Sequence, residues 1–420
     1  MTSPATRLGS ATMAALTCKG LVNMRFSSIS ALAGLLLAAL VGTVHAAAPA
    51  PLRTELTLTH VAADRWRADY VFAEPVTAID LGAQVGPYRK TAWRPLTPGV
   101  ELVAKGDSEG IRSARPLKRL SVEIRAYDGF TEGQYAPLAR FSDGGADFYL
   151  GFLHGALSQG GRERAMQVAL RLKGLKDETV IAPIKPGEDL AGYAYFGPQK
   201  PARMGNVDVI LDPLAPAWLR ETLEETTAKV SQFYERAFQR KLSSTPLISV
   251  AMIGFDGPPG SFNYKGGVAG GGIAYRLQGR GFVEDHPKKR SYIASLVAHE
   301  MAHIWQVNLA RGGIGENDPW IHEGGAEAIM LDALQATGIF TAQARDQYAQ
   351  KLLNECEQLK DDVATYRGFY ACGFKRFNGF AIAPVPLWRA MMDRSEASGE
   401  FYSEAMVRVV LARDGQGAAR

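Results

Sequence analysis

The sequence of 420 residues lacks three features that would place it in large classes of protein. No uninterrupted apolar run reaches the ~20 residues of a membrane-spanning helix, which excludes a multispanning membrane protein. The charge is nearly balanced, with 47 basic and 43 acidic residues, so the strongly basic surface typical of nucleic-acid-binding proteins is absent. With 46% hydrophobic and 21% charged residues, the chain is not intrinsically disordered. Small molecules or other proteins are the expected partners, and the sequence leaves the oligomeric state open.

Cysteine is also scarce, with three residues in the whole chain. Cys18 lies in the N-terminal segment discussed below, which leaves Cys356 and Cys372, 16 positions apart. An even pair in an exported protein predicts a disulfide, which in the chain-entropy model would stabilise the fold by ~3 kcal/mol. Two buried free thiols are the alternative.

The N-terminal 48 residues have the pattern of an export signal. Arg25 is followed by an apolar run from Ala31 to Val44, and small residues up to Ala48 form a plausible cleavage site. A membrane anchor is the alternative, but an apolar run of about 14 residues is too short to span a bilayer. We therefore predict removal of residues 1–48, with Met24 as an alternative start, and a periplasmic or secreted protein without stable membrane insertion.

Residues 49–200 have the sequence pattern of β-strands. Apolar side chains alternate with polar neighbours, which is the two-residue period of a strand with one buried face. Turn signals such as Asp128-Gly129 separate these stretches, and no long helical pattern precedes Pro213. The alternating positions include Leu56, Leu58, Trp66, Tyr70, Phe72, Leu120, Val122 and Ile124. We predict a β-rich N-terminal domain over 49–200, in which no spacing indicates a catalytic site.

The pattern changes in residues 201–420, which we interpret as a second domain. Strands are predicted at Val207–Leu211 and Leu247–Ile253, separated by a helix. The apolar positions of that helix are Leu219, Leu223, Val230, Phe233 and Ala237. The glycine-rich stretch that follows is predicted to contain an exposed edge strand, where Gly271, Gly272 and Ile273 let a ligand backbone approach. A glycine-rich loop without a ligand is the alternative.

The sequence His299-Glu300-Met301-Ala302-His303 has the spacing of a metal site. It lies in a predicted helix, Ser291 to Ala310, in which residues four apart project from one face. His299 and His303 are then about 40° apart, close enough to bind one ion. Glu300 projects about 60° further round the helix, where it can act as a general base without displacing a ligand.

The next predicted helix supplies two acids. It begins after Asp318, a predicted N-cap, and carries Glu323 and Glu327 on one face. With the two histidines, Glu323 completes the His₂Glu ligand set of a catalytic zinc, and Glu327 is placed to bond a ligand histidine. Gly324 and Gly325 are costly in a helix and are interpreted as close packing against the first helix. A solvated acidic face, with His322 as an incidental surface residue, is the alternative.

These motifs together resemble the gluzincin metallopeptidases, especially the aminopeptidase N-like branch. Nineteen residues separate His303 from Glu323, as in thermolysin-like enzymes, whereas aminopeptidase N-like enzymes usually have eighteen. The segment Trp320-Ile321-His322-Glu323-Gly324-Gly325-Ala326 is nevertheless similar to the aminopeptidase signature. The resemblance implies an α+β protein, with a β-rich N-terminal domain before a thermolysin-like zincin domain that is mainly helical after a small sheet. It also implies zinc-dependent hydrolysis of peptide or protein substrates.

Two further family features concern catalysis and specificity. Tyr370-Ala371-Cys372-Gly373 resembles the Tyr-x-x-Gly segment of the family, which implies that Tyr370 stabilises a developing oxyanion. An aromatic core residue is the alternative for Tyr370. The Gly-x-Met-Glu-Asn segment, whose acid binds a free amine in aminopeptidases, is missing, since Gly266 to Ile273 contains no acid. Endopeptidase and aminopeptidase action therefore both stay open.

Two other functions are compatible with these motifs. One is a catalytically degenerate, zinc-containing protein that binds peptides or proteins, although the presence of Glu300, which metal binding does not require, weighs against it. The other is a hydrolase that acts on a different bond.

Overall fold

Strands dominate the N-terminal half of the computed structural model, which describes residues 49–417 apart from 130, 132–134, 184–189 and 314–317. The predicted export signal lies outside the described residues. One short helix, α1 (Tyr88–Ala92), interrupts the strands. The strands are β1 (Leu52–Ala62), β2 (Arg65–Ala83), β3 (Trp93–Pro95), β4 (Val100–Lys105), β5 (Ser108–Arg125), β6 (Leu138–Arg140), β7 (Ala146–Tyr149), β8 (Ala156–Gln159), β9 (Arg162–Lys173), β10 (Thr179–Ile181) and β11 (Tyr193–Gly197).

These strands form two sheets. The first contains seven strands, with the long antiparallel pair β2 and β5 at its centre and β1 parallel to β9. The second has the order β10, β11, β7, β6. In β1, the buried residues Leu52, Leu56 and Leu58 alternate with exposed or half-buried neighbours. The alternation in the sequence thus corresponds to one core-facing side of the sheet, and the predicted β-rich region is confirmed.

The C-terminal half has a five-stranded sheet followed mainly by helices. The sheet has the order β12 (Ala202–Met204), β13 (Val207–Leu211), β14 (Leu247–Ile253), β16 (Gly272–Gln278) and β15 (Asn263–Ala269). The helices are α2 (Ala217–Phe238), α3 (Pro287–Leu309), α4 (Pro319–Ala336), α5 (Ala342–Gln358), α6 (Tyr366–Gly379), α7 (Pro384–Ser398) and α8 (Glu404–Gly417). Among the described residues, no helix is long and apolar enough to cross a membrane.

The prediction that the substrate strand lies at the edge of the sheet is wrong. The strand β16, which contains Gly272 and Ile273, pairs with β14 on one side and with β15 on the other, so it is an interior strand. The edge of the sheet is β15. Gly271 precedes β16, and a Cβ atom there would lie 2.3 Å from the carbonyl oxygen of Pro183. These glycines therefore accommodate neighbouring backbone of the same chain, not a ligand.

Two smaller sequence predictions also need correction. In α2 the buried aromatic residues after Val230 are Tyr234 and Phe238, whereas the predicted Phe233 is only partly buried against the same core and Ala237 is half-buried. Asp318 does precede α4, but its side chain makes no capping bond within that helix. Its Oδ2 instead accepts a hydrogen bond from the backbone N–H of Glu404, so it connects α4 to the start of α8.

The second and third sheets share a buried contact. Ala139, Phe141 and Tyr195 from the first half pack against Leu247 and other apolar residues of the five-stranded sheet. Asp147 of β7 is 1% exposed, and Ser249 of β14 is its polar neighbour. A carboxyl group is thus buried where the two sheets meet. Burial raises the pKa of Asp147 to about 7, and the Ser249 hydroxyl opposes the shift.

We expect the Asp147→Asn variant to lose a pH dependence of stability that the wild type has. The pKa is about 7 in the folded state and about 3.9 in an unfolded chain, so the folded state holds the extra proton between these values. Wild-type stability should then fall as the pH rises from 5 to 8, by roughly 2–3 kcal/mol, because a neutral group must ionise in a buried site. Urea unfolding of both proteins at pH 5 and pH 8 measures this. If the free energies of unfolding of the two proteins differ by the same amount at pH 5 and pH 8, the raised pKa does not belong to Asp147.

Candidate metal centre

Helices α3 and α4 bring three predicted metal ligands to one point. His299 Nε2 lies 3.1 Å from Glu323 Oε2, and His303 Nε2 lies 3.3 Å from the same oxygen. The three ligand atoms all lie within 4.8 Å of one another. The side chains are buried, with Glu323 only 1% exposed, so the acids do not form a solvated face. This group could hold a metal ion.

The electrostatics of the centre favour a cation. Burial opposes a charge on His299, but a hydrogen bond with Glu323 and the charge of Glu327 outweigh it and raise the pKa of His299 to about 9. Burial also disfavours the charged form of Glu323 and would by itself raise the pKa of this carboxyl group. The neighbouring His303 and His299 nevertheless hold the pKa of Glu323 well below its usual value. Three acidic side chains, Glu323, Glu327 and Glu300, thus act on His299. Such a negative site attracts a proton or a metal ion.

Each of the two histidines has a polar neighbour near its second ring nitrogen. Glu327 Oε1 lies 3.4 Å from His299 Nδ1, an ion-pair distance without hydrogen-bond geometry. For His303 the partner is Gln306, whose Oε1 lies 2.7 Å from Nδ1. Gln306 is fully buried, and its amide also donates to the carbonyl oxygen of His322 at 3.1 Å. The hydrogen bond with Gln306 orients the imidazole of His303 so that its Nε2 faces Glu323.

Gln306 was not predicted from the sequence, although the sequence contains a signal for it. A polar residue three positions after a histidine on a helix lies on the same face and is within reach of its ring. Gln306 also follows two buried apolar residues, Ile304 and Trp305, so its own burial could have been anticipated from the helical pattern.

We expect Gln306→Leu to weaken metal binding by roughly 10–100-fold, because His303 loses the acceptor that fixes its tautomer. The Gln306→Glu variant keeps an acceptor oxygen at that position and should bind metal within a few-fold of the wild type. Zinc competition with a chromogenic chelator measures both affinities. Equal affinities of the leucine variant and the wild type would show that Gln306 does not orient the ligand.

His322 is part of the centre and is not an incidental surface residue. It is 6% exposed, and its ring stacks on His303 with centroids 3.9 Å apart and an interplanar angle of 13°. Its Nδ1 lies 2.6 Å from the hydroxyl of Tyr402. Burial holds the pKa of His322 well below its usual value, so this ring is neutral. Stacking on a neutral ring restricts the orientation of His303.

Glu300 and Tyr370 lie beside the ligand group. Glu300 Oε2 accepts a hydrogen bond of 3.0 Å from the backbone N–H of Val268 in the edge strand β15. The ring of Tyr370 faces His299 with centroids 5.6 Å apart, and its hydroxyl lies 3.4 Å from that of Tyr366. Burial raises the pKa of Tyr370 above its usual value, so the phenol keeps its proton and can donate it in a hydrogen bond.

Two glycines explain how α6 reaches the centre. A Cβ atom on Gly324 would lie 2.2 Å from the carbonyl carbon of Gly373, so α4 and α6 touch through their backbones. Gly325 faces Trp388 of α7, whose Nε1 would lie 2.5 Å from an added Cβ. The prediction that these glycines pack against the first helix is therefore wrong. Gly324 allows α6, which carries Tyr370, to lie close to α4, and Gly325 makes room for Trp388 of α7.

The predicted disulfide is present and fixes the other side of α6. Cys356 of α5 is bonded to Cys372 of α6. Cys372 lies two residues after Tyr370 and one before Gly373, so the covalent link and the glycine contact act on the same helical turn.

Solved structures of known proteins share this architecture. An aminopeptidase N family protein from Idiomarina loihiensis superposes with a TM-score of 0.54 at 10% identity, over 85% of this chain and 72% of its own. This chain has the aminopeptidase N fold. Yeast LTA4 hydrolase shares this fold with a TM-score of 0.50 at 13% identity, over 87% of this chain and 64% of its own. The sequence itself matches no protein-family model and no curated protein. The predicted fold class is thereby confirmed.

Proposed function

We propose that the protein is an exported, zinc-dependent peptidase that hydrolyses peptide bonds in peptide or protein substrates. The observation that carries the proposal is the convergence of His299, His303 and Glu323 beside Glu300, a carboxylate that is not one of the three ligands. Such a carboxylate is expected in an enzyme and is unnecessary in a protein that only binds metal. The aminopeptidase N fold supports a peptidase function by analogy.

The ligand atoms fit zinc. Four-coordinate zinc has bonds of about 2.0–2.2 Å to nitrogen and oxygen, so neighbouring ligand atoms lie about 3.3–3.5 Å apart. Here the two nitrogen-to-oxygen distances are 3.1 and 3.3 Å. Two histidines and one glutamate also leave a coordination position open, as in catalytic zinc sites. A zinc ion held there supplies Lewis acidity and lowers the pKa of a water molecule to about 7.

The protein's own residues then have separate roles. Glu300 accepts the proton of the attacking water on its carboxylate and transfers it to the leaving nitrogen. The raised pKa that burial gives Glu300 favours this exchange. The hydroxyl of Tyr370 donates a hydrogen bond to the oxygen that becomes negative when water adds to the carbonyl. Gln306 holds the imidazole of His303 in place, and Glu327 lies at ion-pair distance from that of His299.

Export is the second part of the proposal. The pattern of residues 1–48 supports a signal peptide, and the disulfide between Cys356 and Cys372 supports an oxidising compartment such as the periplasm or the extracellular space. Edman sequencing or mass spectrometry of protein recovered outside the cytoplasm tests this point. A mature N-terminus well before Ala48 would contradict the predicted cleavage.

The site favours recognition of the peptide backbone and side chains over recognition of a free amine. Gly266 to Ile273 offers no carboxylate. Ala269, at the end of the edge strand, is buried together with Tyr149 and Tyr193. The space beyond this end of β15 is therefore filled by aromatic rings, and the peptide must pair with β15 itself.

We expect acetylation of a substrate's N-terminus to change kcat/KM by only a few-fold. Loss of a charge-assisted contact with the amine, worth roughly 1.5–3 kcal/mol, would instead slow cleavage by more than ten-fold. Digestion of a peptide library with mass-spectrometric detection first identifies a cleavable sequence. The kcat/KM values of that peptide with an acetylated and with a free N-terminus are then compared. Failure of the zinc-loaded protein to cut any peptide would disprove the peptidase assignment. A loss beyond a hundred-fold on acetylation would identify an aminopeptidase.

A further inference from the structure

Exposed aromatic side chains are concentrated at one end of the candidate site. Five aromatic residues are exposed in the part of the chain that the structure describes, and four of them lie on or next to β15, near the start of α3, or at the start of α6. We call Phe262, Tyr264 and Tyr292 the aromatic shelf. They are 36%, 37% and 38% exposed, and Tyr366 on α6 is 65% exposed. The fifth, Phe401, lies apart, over the guanidinium of Arg311.

The three rings of the aromatic shelf pack against one another and form one continuous surface. The rings of Phe262 and Tyr292 lie 5.3 Å apart, and those of Tyr264 and Tyr292 lie 6.1 Å apart. Phe262 also stacks on the buried ring of Phe282, with centroids 4.1 Å apart. The rings are therefore held from below while their outer faces stay in contact with solvent. Rigid exposed aromatic surfaces of this kind commonly bind side chains of a partner.

The shelf continues directly from the catalytic residues. Tyr264 and Val268 lie on β15, about 13 Å apart along the strand, and Val268 donates its N–H to Glu300. Tyr292 lies on α3, eight residues before Glu300, which is about 12 Å along the helix axis. The negative charge of Glu300 also acts on the phenol of Tyr264, after the larger effect of burial. A chain that starts at Glu300 and follows β15 towards Asn263 passes over the shelf.

The other direction along β15 is closed. Tyr135 donates a hydrogen bond of 2.9 Å to the carbonyl oxygen of Val268 and stacks on Tyr149, with centroids 4.6 Å apart. Tyr149 and Tyr193 pack on Ala269. Among the described residues, the exposed aromatic side chains near β15 lie in the direction of the shelf.

We propose that the aromatic shelf binds the part of the peptide on the carboxyl side of the cleaved bond and selects apolar or aromatic side chains two to four residues beyond that bond. This inference rests on the proposed peptidase function. Glu300 passes its proton to the leaving nitrogen, so the leaving segment begins at Glu300 and follows the open part of β15. Backbone pairing with β15 aligns the leaving segment, and the aromatic shelf contacts the side chains of that segment. The substrates are therefore peptides that extend at least three residues past the cut.

Binding is tested first, because it does not require cleavage. The zinc-loaded Glu300→Gln protein is titrated with fluorescent peptides that carry phenylalanines, and with twins in which serine replaces each phenylalanine. We expect the phenylalanine peptides to bind roughly ten-fold tighter. This preference should disappear in a Tyr264→Ala, Tyr292→Ala double variant. It should persist in a Tyr264→Phe, Tyr292→Phe variant, which keeps both rings, and in Phe401→Ala, which removes an exposed ring elsewhere.

Cleavage then locates the contact. For a peptide whose cut site is known, phenylalanine at the second to fourth position after the cut should raise kcat/KM roughly ten-fold over serine. Phenylalanine before the cut should have no effect that depends on the shelf. A double alanine variant that retains the preference would overturn the proposal while leaving the peptidase function intact. Selective binding to the shelf without cleavage of any peptide would instead support the shelf and disprove the peptidase function.

Discussion

Replacement of Glu300 by Gln is expected to lower kcat/KM for peptide hydrolysis by about 10²–10⁴-fold without loss of bound zinc. The amide has the shape of the carboxylate but cannot take a proton from water. Its oxygen can still accept the hydrogen bond from the N–H of Val268, so the edge strand should stay in place. The measurement is a progress curve on a cleavable peptide together with metal analysis of the same preparation.

The ligand variants provide the matched comparison. His299→Ala, His303→Ala and Glu323→Ala should each lower the zinc content, because each removes one of three protein ligands. Zinc retained in Glu323→Ala but lost in Glu300→Gln would reverse the roles that we assign to the two glutamates.

The Gly373→Ala variant is expected to lose stability and activity together. Its Cβ would lie 2.6 Å from the carbonyl oxygen of Trp320 and 2.9 Å from the Cα of Gly324. Because these are backbone atoms, the contact can be relieved only if α6 moves away from α4. Overpacking of this kind costs about 3 kcal/mol or more when no side chain can yield. A displacement of Tyr370 by about 1 Å should lower kcat by up to about 10²-fold.

Gly379→Ala is the control for this variant. Gly379 is the last residue of the same helix, and no heavy atom lies within 4 Å of an added Cβ. Thermal unfolding and peptide hydrolysis are measured for both proteins. A Gly373→Ala protein as stable and active as Gly379→Ala would show that the glycine contact does not position α6.

The grouping of His299, His303 and Glu323 could be predicted from sequence because it depends on local geometry. Two histidines four residues apart on a helix share a face whatever surrounds them, and Glu323 follows from a short segment on the next helix. The strands of the first half were predictable for the same reason, since burial of one face imposes a two-residue period. Tyr370 lies on a separate helix, and only the resemblance to a family indicated it.

The errors concern contacts between segments distant in sequence. Whether β15 or β16 forms the sheet edge depends on which strand pairs with β14, and nothing within Gly271 to Ile273 specifies that partner. The glycines of α4 indicated a close contact, but their sequence context did not distinguish α3 from α6. Gln306 was not predicted because an amide is not a usual zinc ligand, although its helical position beside His303 was predictable.

The hydrogen bonds of Val268 bear on the selectivity of the proposed peptidase. Its N–H is taken by Glu300 and its carbonyl oxygen by Tyr135, so both groups already have partners before a peptide arrives. A peptide that pairs with β15 at this residue must displace them, and the exchange leaves the number of hydrogen bonds nearly unchanged. Backbone pairing then aligns every peptide equally but contributes little net free energy of binding. Discrimination between one peptide and another is left to the contacts of their side chains.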